Sequence, residues 1–299
     1  MPQIHVNGID LEYESFGASK DPLMLLIMGL GAQLTRWPVP FCEKLVARGY
    51  RVIRFDNRDV GLSTKFDAAG VPDLTQIMTA KFTGAPVKVP YTLHDMAADG
   101  IGLLDAVSIQ KAHIVGASMG GMIAQQIAAE YPQRVLSLTS IMSTTGNPTL
   151  PPPTAAATAV LMNRYTNVDD RTAYIDHTLN AFRTIASPGF PFDELATRER
   201  ILSDALRGYS ATGFARQMAA VAAAGDRRDY VRRIKVPTMV IHGKSDPLVP
   251  VAAGRDTAAC IAGAELRVFC GMGHDIPPQL YDKIIDAIVS VAQRAGDQR

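Results

Sequence analysis

One serine, one histidine and one aspartate of this chain occupy sequence contexts that could support nucleophilic catalysis. Ser118 stands in the glycine-rich stretch GASMGG, His274 in GMGHDIP and Asp246 in HGKSDPLVP. A serine hydroxyl is a weak nucleophile, so it needs a nearby base such as histidine, and that base needs an acid to orient its ring. The three residue types together predict acyl transfer through a covalent intermediate on Ser118.

The residues around Ser118 favour a nucleophile turn over a phosphate-binding loop or a chance match. Gly116, Ser118 and Gly120 match the pattern G-x-S-x-G, with an apolar run before the match and an Ala-rich helical pattern after it. Neighbours without bulk let the strand and the helix approach each other while the serine adopts strained backbone angles. A phosphate-binding loop would end in Gly-Lys-Ser/Thr, which this stretch lacks. A chance match is also disfavoured, because the match lies between a predicted strand and a predicted helix, as a nucleophile turn does.

The base must be chosen among six histidines. His274 lies in a glycine-rich loop after the last predicted strand, and loops at the carboxyl ends of strands carry the chemistry of open parallel sheets. We therefore predict that His274 is the base. Packing or surface roles are expected for the other histidines, which are His5, His94, His113, His177 and His242.

Asp246 is the predicted acid. It follows the predicted strand 238–241, and one helix and one strand separate it from His274, so their two loops can be neighbours above the sheet. Asp275 is the alternative, although a residue adjacent to His274 cannot easily orient its ring. The chain order serine, aspartate, histidine also matches the order that accompanies G-x-S-x-G turns.

The negative charge that forms during acyl transfer requires two N–H donors. The amide of Met119 follows from the turn itself, and we predict the amide of Leu30, in MGLGAQLTRW, as the second donor. Such a donor contributes about 3 kcal/mol to transition-state stabilisation. A plain glycine-rich turn is the alternative for this stretch. The charged segment FDNRDVGLS is expected to support the turn structurally, through Asp56 and Arg58.

Strand and helix patterns alternate along most of the chain. Asn7-Gly8 between two alternating runs predicts an N-terminal hairpin, and Thr92 with Asp95 predicts a helix start. Apolar runs predict buried strands at 23–28, 52–55, 112–115, 135–141, 238–241 and 266–269. Helical patterns lie at 40–48, 93–107, 119–131, 251–261 and 279–293. The alternation predicts an α/β fold with a mostly parallel sheet flanked by helices, and the segment 65–90 is expected to be irregular.

Residues 146–233 interrupt this alternation with several helical patterns after a Pro-rich start. We predict a helical cap inserted between two parts of the core, residues 1–145 and 234–299. Such a cap would lie over the carboxyl ends of the strands, above Ser118. The side chains expected to line its pocket are Trp37, Met162, Phe182, Phe214 and Met218. The alternative for the cap residues is packing of the cap onto the body, and the alternative for Trp37 is the core.

The composition is that of an ordinary globular chain of 299 residues, of which 47% are hydrophobic and 20% charged. The net charge of +1 argues against a nucleic-acid partner. The three cysteines show no spacing typical of a metal site or a disulfide framework, which favours a reducing compartment. The longest apolar run, 23–30, is too short to span a membrane, and no secretion-signal pattern opens the sequence, so we expect a cytoplasmic protein.

Taken together, these segments resemble the α/β-hydrolase superfamily. IMGLGAQLTRW, RFDNRDVGLS, HIVGASMGGMIAQQIA, VIHGKSDPLVP and GMGHDIP follow the family's order and spacing. Within the superfamily the chain is similar to actinobacterial carboxylesterases and to the aclacinomycin methylesterase type. Met28 departs from the histidine that many members carry before the glycine. The stretch His-Gly-Gly-Pro-Gly is absent, which counts against a proline iminopeptidase.

The resemblance implies a serine carboxylesterase that cleaves short to medium acyl esters or methyl esters of small molecules, with no metal or other cofactor. Ser118 would be the nucleophile, His274 the base and Asp246 the acid, and the amides of Leu30 and Met119 would form the oxyanion hole. Two alternatives remain open. One is a cofactor-free perhydrolase or haloperoxidase with the same triad, and the other is a receptor that binds a small ligand on this fold without turnover.

Overall fold

Eight strands form one sheet in the computed structural model, which describes residues 2–85, 87–163, 165 and 167–296. The strands are β1 (Gln3–Val6), β2 (Ile9–Phe16), β3 (Leu23–Ile27), β4 (Arg51–Phe55), β5 (Ala112–Ala117), β6 (Val135–Ile141), β7 (Thr238–Gly243) and β8 (Glu265–Phe269). Their order across the sheet is β1-β2-β4-β3-β5-β6-β7-β8. β2 is antiparallel to both of its neighbours, and the other pairs are parallel. The prediction of a mostly parallel α/β sheet with an antiparallel start is confirmed.

Helices cover both faces of the sheet. They are α1 (Val39–Val46), α2 (Leu74–Thr83), α3 (Leu93–Ala106), α4 (Met119–Glu130), α5 (Ala155–Met162), α6 (Arg171–Ile185), α7 (Glu194–Gly208), α8 (Ala211–Ala224), α9 (Arg228–Val231), α10 (Val251–Cys260) and α11 (Tyr281–Gly296). One hydrophobic cluster joins the sheet to α3 and α4, and a second joins it to α1 and α11. Leu25 of β3 belongs to the first cluster and its neighbours Met24 and Leu26 to the second. β3 is therefore a continuous apolar run because it is buried on both faces.

Two local signals in the sequence have the structures that they predict. Asn7 and Gly8 have φ angles of 49° and 77°, the left-handed values that a type I′ hairpin turn requires. At the start of α3, the Asp95 amide donates to the Thr92 hydroxyl at 3.3 Å, and the Thr92 amide donates to the Asp95 carboxylate at 2.7 Å. Both bonds satisfy N–H groups that a helix start or turn would otherwise leave unpaired.

The segment 65–90 contains a helix, α2, so the prediction that it is wholly irregular is wrong. The Asp73 carboxylate accepts hydrogen bonds from two amides of the first turn, at 2.8 and 3.1 Å, and so caps α2. The helix is poorly amphipathic, since Ile77 is 4% exposed whereas Phe82 is 93% exposed. Without an apolar stripe, the pattern that reveals most helices in a sequence is missing here.

The described residues of the segment 146–233 form helices α5 to α9 and no strand, between β6 and β7. We use the word cap as a name for this segment. Four of these helices begin with a capping side chain, namely Thr154, Asp170, Asp193 and Ser210. α9 packs against α4 and α10, and Val231 joins the cluster that contains α3 and α4. The last helix of the segment therefore packs on the body of the protein. Within the described chain, no helix combines the length and the apolar character needed to cross a bilayer.

Candidate active site

Ser118 lies at a sharp turn between β5 and α4, where its φ and ψ are 57° and −122°. A residue other than glycine rarely adopts such backbone angles, which cost roughly 1–3 kcal/mol and are found mainly at functional sites. The glycines on both sides make the turn possible. A Cβ on Gly116 would lie 2.1 Å from the carbonyl oxygen of Gly120, and a Cβ on Gly120 would lie 2.1 Å from that of Ile27. Only glycine fits at either position.

The structure brings Ser118, His274 and Asp246 together. Ser118 Oγ lies 3.0 Å from His274 Nε2, and His274 Nδ1 lies 2.8 Å from Asp246 Oδ2. A carboxylate can only accept a hydrogen bond, so Nδ1 carries the proton and Nε2 is free to accept one from the serine hydroxyl. This arrangement can remove the hydroxyl proton as the oxygen attacks a carbonyl carbon.

Backbone amides hold Asp246 in this orientation. Its Oδ1 accepts hydrogen bonds from the amides of Leu248 and Val249, at 2.9 and 2.8 Å, which leaves Oδ2 for His274. The side chain of Asp246 is fully buried. His242 lies behind it, 3.7 Å from Oδ2, and donates from Nε2 to the carbonyl of Val249 at 2.8 Å. Burial lowers the pKa of His242 below its ordinary value, and the hydrogen bond from its Nε2 goes to Val249 and not to Asp246.

Asp275, the alternative acid, has a different partner. Its carboxylate accepts a close hydrogen bond from the hydroxyl of Ser187 in the cap. Burial raises the pKa of Asp275, although the hydrogen bonds from Ser187 act in the opposite direction. The structure thus places Asp246, and not Asp275, against Nδ1 of His274.

The turn that contains Leu30 adjoins Ser118. A Cβ on Gly29 would lie 2.9 Å from Cβ of Ser118, so only glycine allows this approach. The turn is fixed on both sides of Leu30. The side-chain amide of Asn57 donates to the carbonyl of Met28 at 2.9 Å, and the Gly31 amide donates to Gln217 in the cap at 2.8 Å.

The amides of Leu30 and Met119 are the two predicted oxyanion donors. Neither of them donates a hydrogen bond to another residue that the structure describes. Met119 is only 1% exposed, and buried N–H groups without a partner are rare in folded proteins. Two such groups beside a serine hydroxyl can stabilise a negatively charged oxygen.

The charged segment after β4 is predicted to support the Leu30 turn through Asp56 and Arg58. The two side chains have different partners. Asp56 accepts hydrogen bonds from the Leu34 amide at 2.7 Å and from the Arg207 guanidinium of the cap at 2.6 Å. Arg58 instead donates two bonds of 2.7 Å to Asp99 in α3. Asp56 therefore joins the cap to the turn, and Arg58 joins the loop to the body.

Of the residues predicted to line a pocket, two have surroundings that favour another role. Trp37 is fully buried and packs on Phe41, with 5.4 Å between ring centroids. The structure thus favours the core alternative for Trp37. Met162 is 60% exposed at the end of α5, which counts against a place in a pocket wall.

The other three predicted pocket residues lie partly buried in the cap. Phe214 contacts the Leu30 turn, since a Cβ on Gly31 would lie 2.7 Å from its ring. Phe182 stacks under the guanidinium of Arg36, which lies 4.0 Å from the ring centroid. Met218 follows Phe214 by one helical turn of α8. Phe214 is thus the candidate with a direct contact to the site.

The described residues include no group of three or more His, Cys, Asp or Glu side chains that could hold a metal ion. The three cysteines differ in their burial. Cys42 is buried, Cys260 half-buried and Cys270 exposed, and all three are free thiols. The groups that meet at Ser118 are the serine hydroxyl, the imidazole of His274 and the carboxylate of Asp246.

The close approach of Gly29 to Ser118 leaves no room for a side chain at position 29. Gly29→Ala should lower kcat by about 10²-fold, because the new methyl group displaces the Leu30 amide from Ser118 and one oxyanion donor is worth that factor. The measurement is kcat for a p-nitrophenyl ester, with thermal unfolding to confirm that the fold persists. Gly296→Ala is the matched control, since a Cβ there meets nothing within 4 Å. An unchanged kcat in Gly29→Ala would contradict the role of the Leu30 amide as an oxyanion donor.

Comparison with known proteins agrees with this architecture. A family model described as the α/β hydrolase fold matches residues 22–278. The chain is 27% identical to rhodomycin D methylesterase DauP of a Streptomyces species over 307 aligned positions, which cover 96% of each protein. It is also 27% identical to 3-oxoadipate enol-lactonase 2 of Acinetobacter baylyi, over 97% of this chain and 98% of that protein. The crystal structure of the enol-lactonase from Burkholderia xenovorans superposes with a TM-score of 0.72 at 25% identity, over 98% of this chain and 100% of that one.

Proposed function

The chain belongs to the α/β-hydrolase family, and from that premise we propose that it is a serine ester hydrolase acting on small-molecule carboxylic esters. Ser118 is the nucleophile, His274 the general base and Asp246 the acid that orients it. The amides of Leu30 and Met119 are the oxyanion donors. The contact that carries the proposal is the 3.0 Å distance between Ser118 Oγ and His274 Nε2, on a serine held at a strained turn.

The reaction proceeds in two halves. As Ser118 Oγ attacks the ester carbonyl, its proton passes to His274 Nε2 and the carbonyl oxygen becomes an oxyanion between the two amides. His274 then gives the proton to the leaving alcohol, and an acyl-enzyme remains on Ser118. Water attacks that ester with His274 again as base, the acid leaves, and the hydroxyl of Ser118 is restored. Asp246 stabilises the imidazolium in both halves.

The relatives support an ester bond as the target. One is a methylesterase and another an enol-lactonase, and each name describes the cleavage of a carboxylic ester, open in the first case and cyclic in the second. Both are similar to this chain over nearly their whole length. We therefore propose short to medium acyl esters or methyl esters as substrates.

The cap should limit the length of the acyl group. Each buried CH₂ adds about 0.8 kcal/mol of binding until the chain exceeds the space under the cap. In a series of p-nitrophenyl esters, kcat/KM should rise over the short acyl chains and fall for the long ones. Phe214→Ala should move the optimum to longer chains, because its ring lies against the Leu30 turn.

Met162→Ala is the control for this series, since Met162 is 60% exposed and its loss should leave the chain-length profile unchanged. Strong hydrolysis of emulsified long-chain triglycerides by the unaltered protein would contradict the proposed size limit. Two further readouts separate the alternatives. Peracid formation that outpaces ester cleavage would favour a perhydrolase, and ligand binding without turnover would favour a receptor.

A further inference from the structure

A short connection of the cap lies directly on the loop that carries His274. We call residues 185–189, which are the last residue of α6 and the start of its connection to α7, the strap. The amide of His274 donates to the carbonyl of Ile185 at 2.8 Å, and the amide of Gly189 donates to the carbonyl of Gly271 at 2.9 Å. The strap therefore bonds to the backbone of the loop at the histidine itself and three residues before it.

The strap and the loop are in contact through their backbones. A Cβ on Gly189 would lie 2.6 Å from Cα of Gly271, and a Cβ on Gly271, where φ is 74°, would lie 2.8 Å from Cα of Gly189. A Cβ on Gly273 would lie 2.4 Å from the carbonyl oxygen of Ala186. No side chain fits between the two segments at these points, so a shift of one is transmitted to the other.

Ser187 is the strap side chain that bonds to both neighbours of His274. Its hydroxyl accepts a hydrogen bond from the Gly273 amide at 2.9 Å and donates a close one to the carboxylate of Asp275. Ser187 is 5% exposed, so water cannot readily replace either bond. The two residues that flank His274 in the chain are thus fixed by one hydroxyl group.

We propose that Ser187 is a positioning residue that sets the orientation of His274 toward Ser118. The inference rests on the function proposed above. The direction of the imidazole depends on the backbone of residues 273–275, which Ser187 holds on both sides. A displacement of about 1 Å between reacting groups costs on the order of 10²-fold in rate. Loss of the hydroxyl should therefore slow the chemical step and leave substrate binding intact.

The test is Ser187→Ala, assayed with a p-nitrophenyl ester. We expect kcat to fall about 10- to 100-fold with KM within about twofold, and labelling of Ser118 by a fluorophosphonate to slow by the same factor as kcat. Ser187→Thr keeps the hydroxyl and should recover most of kcat. Thr154→Ala also removes a hydroxyl that bonds to a backbone amide in the cap, but at the start of α5, and should leave kcat unchanged.

Ser187→Cys keeps the side-chain size with a weak hydrogen-bonding group, so it provides the same test if the alanine variant does not fold. An unchanged kcat in either folded variant, or a change in KM alone, would overturn the positioning role. A loss of kcat with no slowing of fluorophosphonate labelling would also overturn it. The proposed function fails separately, namely if Ser118→Ala retains ester cleavage.

Discussion

Ser118→Ala should lower kcat/KM for p-nitrophenyl esters by about 10⁴-fold or more without changing the thermal unfolding of the protein. The factor is that found when a serine triad loses its nucleophile, since only the oxyanion donors and substrate binding remain. The fold should persist because Ser118 is partly exposed and its side chain packs no core. Alanine is also smaller than serine, so the variant adds no bulk at this position, where φ is 57°.

Covalent labelling provides the second measurement for this variant. A fluorophosphonate should add to Ser118 in the unaltered protein, inactivate it, and add to nothing in Ser118→Ala. Ser143→Ala is the matched control, because Ser143 is a buried serine beside the same turn, against Gly121, and its hydroxyl has no partner among the described residues. That variant should keep both activity and labelling. Full activity in Ser118→Ala, or labelling at another residue, would end the assignment of the nucleophile.

Asp246→Asn should fold normally and lose about 10³- to 10⁴-fold in kcat. The amides of Leu248 and Val249 donate hydrogen bonds and therefore require an oxygen opposite them, so the asparagine must turn its NH₂ group toward His274. An NH₂ donor opposite Nδ1 forces the ring proton onto Nε2. Nε2 then cannot accept the proton of Ser118, and the base is lost.

Asp275→Asn distinguishes this change of tautomer from a general loss of negative charge near the ring. The asparagine oxygen can still accept the hydrogen bond from Ser187, so kcat should fall by less than about tenfold. Rates and thermal unfolding of both variants should be measured side by side. If Asp275→Asn showed the large loss and Asp246→Asn did not, the acid of the site would be Asp275.

The sequence predicts that Ser118, His274 and Asp246 lie together because each of them stands in a local pattern. Ser118 stands in a turn that only glycine neighbours permit, and Asp246 and His274 follow two neighbouring parallel strands whose carboxyl ends lie on the same edge of the sheet. The capping pair at α3 is equally local, since Thr92 and Asp95 are three positions apart and bond to each other. Strand periodicity and turn composition are sufficient for these features.

The contacts between cap and core have no such pattern. Ser187 bonds to residues 86 and 88 positions away, and Gln217 bonds to the amide of Gly31 over 186 positions. A buried polar side chain on a cap helix does not indicate in the sequence which backbone group it will meet. Trp37 shows a related limit, because an aromatic residue near a catalytic loop is compatible with both a core and a pocket until its neighbours are known.

For protein engineering, the contact between Gly189 and Gly271 makes the cap less exchangeable than its place in the chain suggests. An insertion between β6 and β7 resembles a module that could be replaced by joining two chains at its ends. A donor cap with any side chain where Gly189 lies would meet the backbone of Gly271 and displace the loop of His274. A working chimera must therefore bring a glycine at that point of the graft, or bring its own loop 271–275 together with its cap.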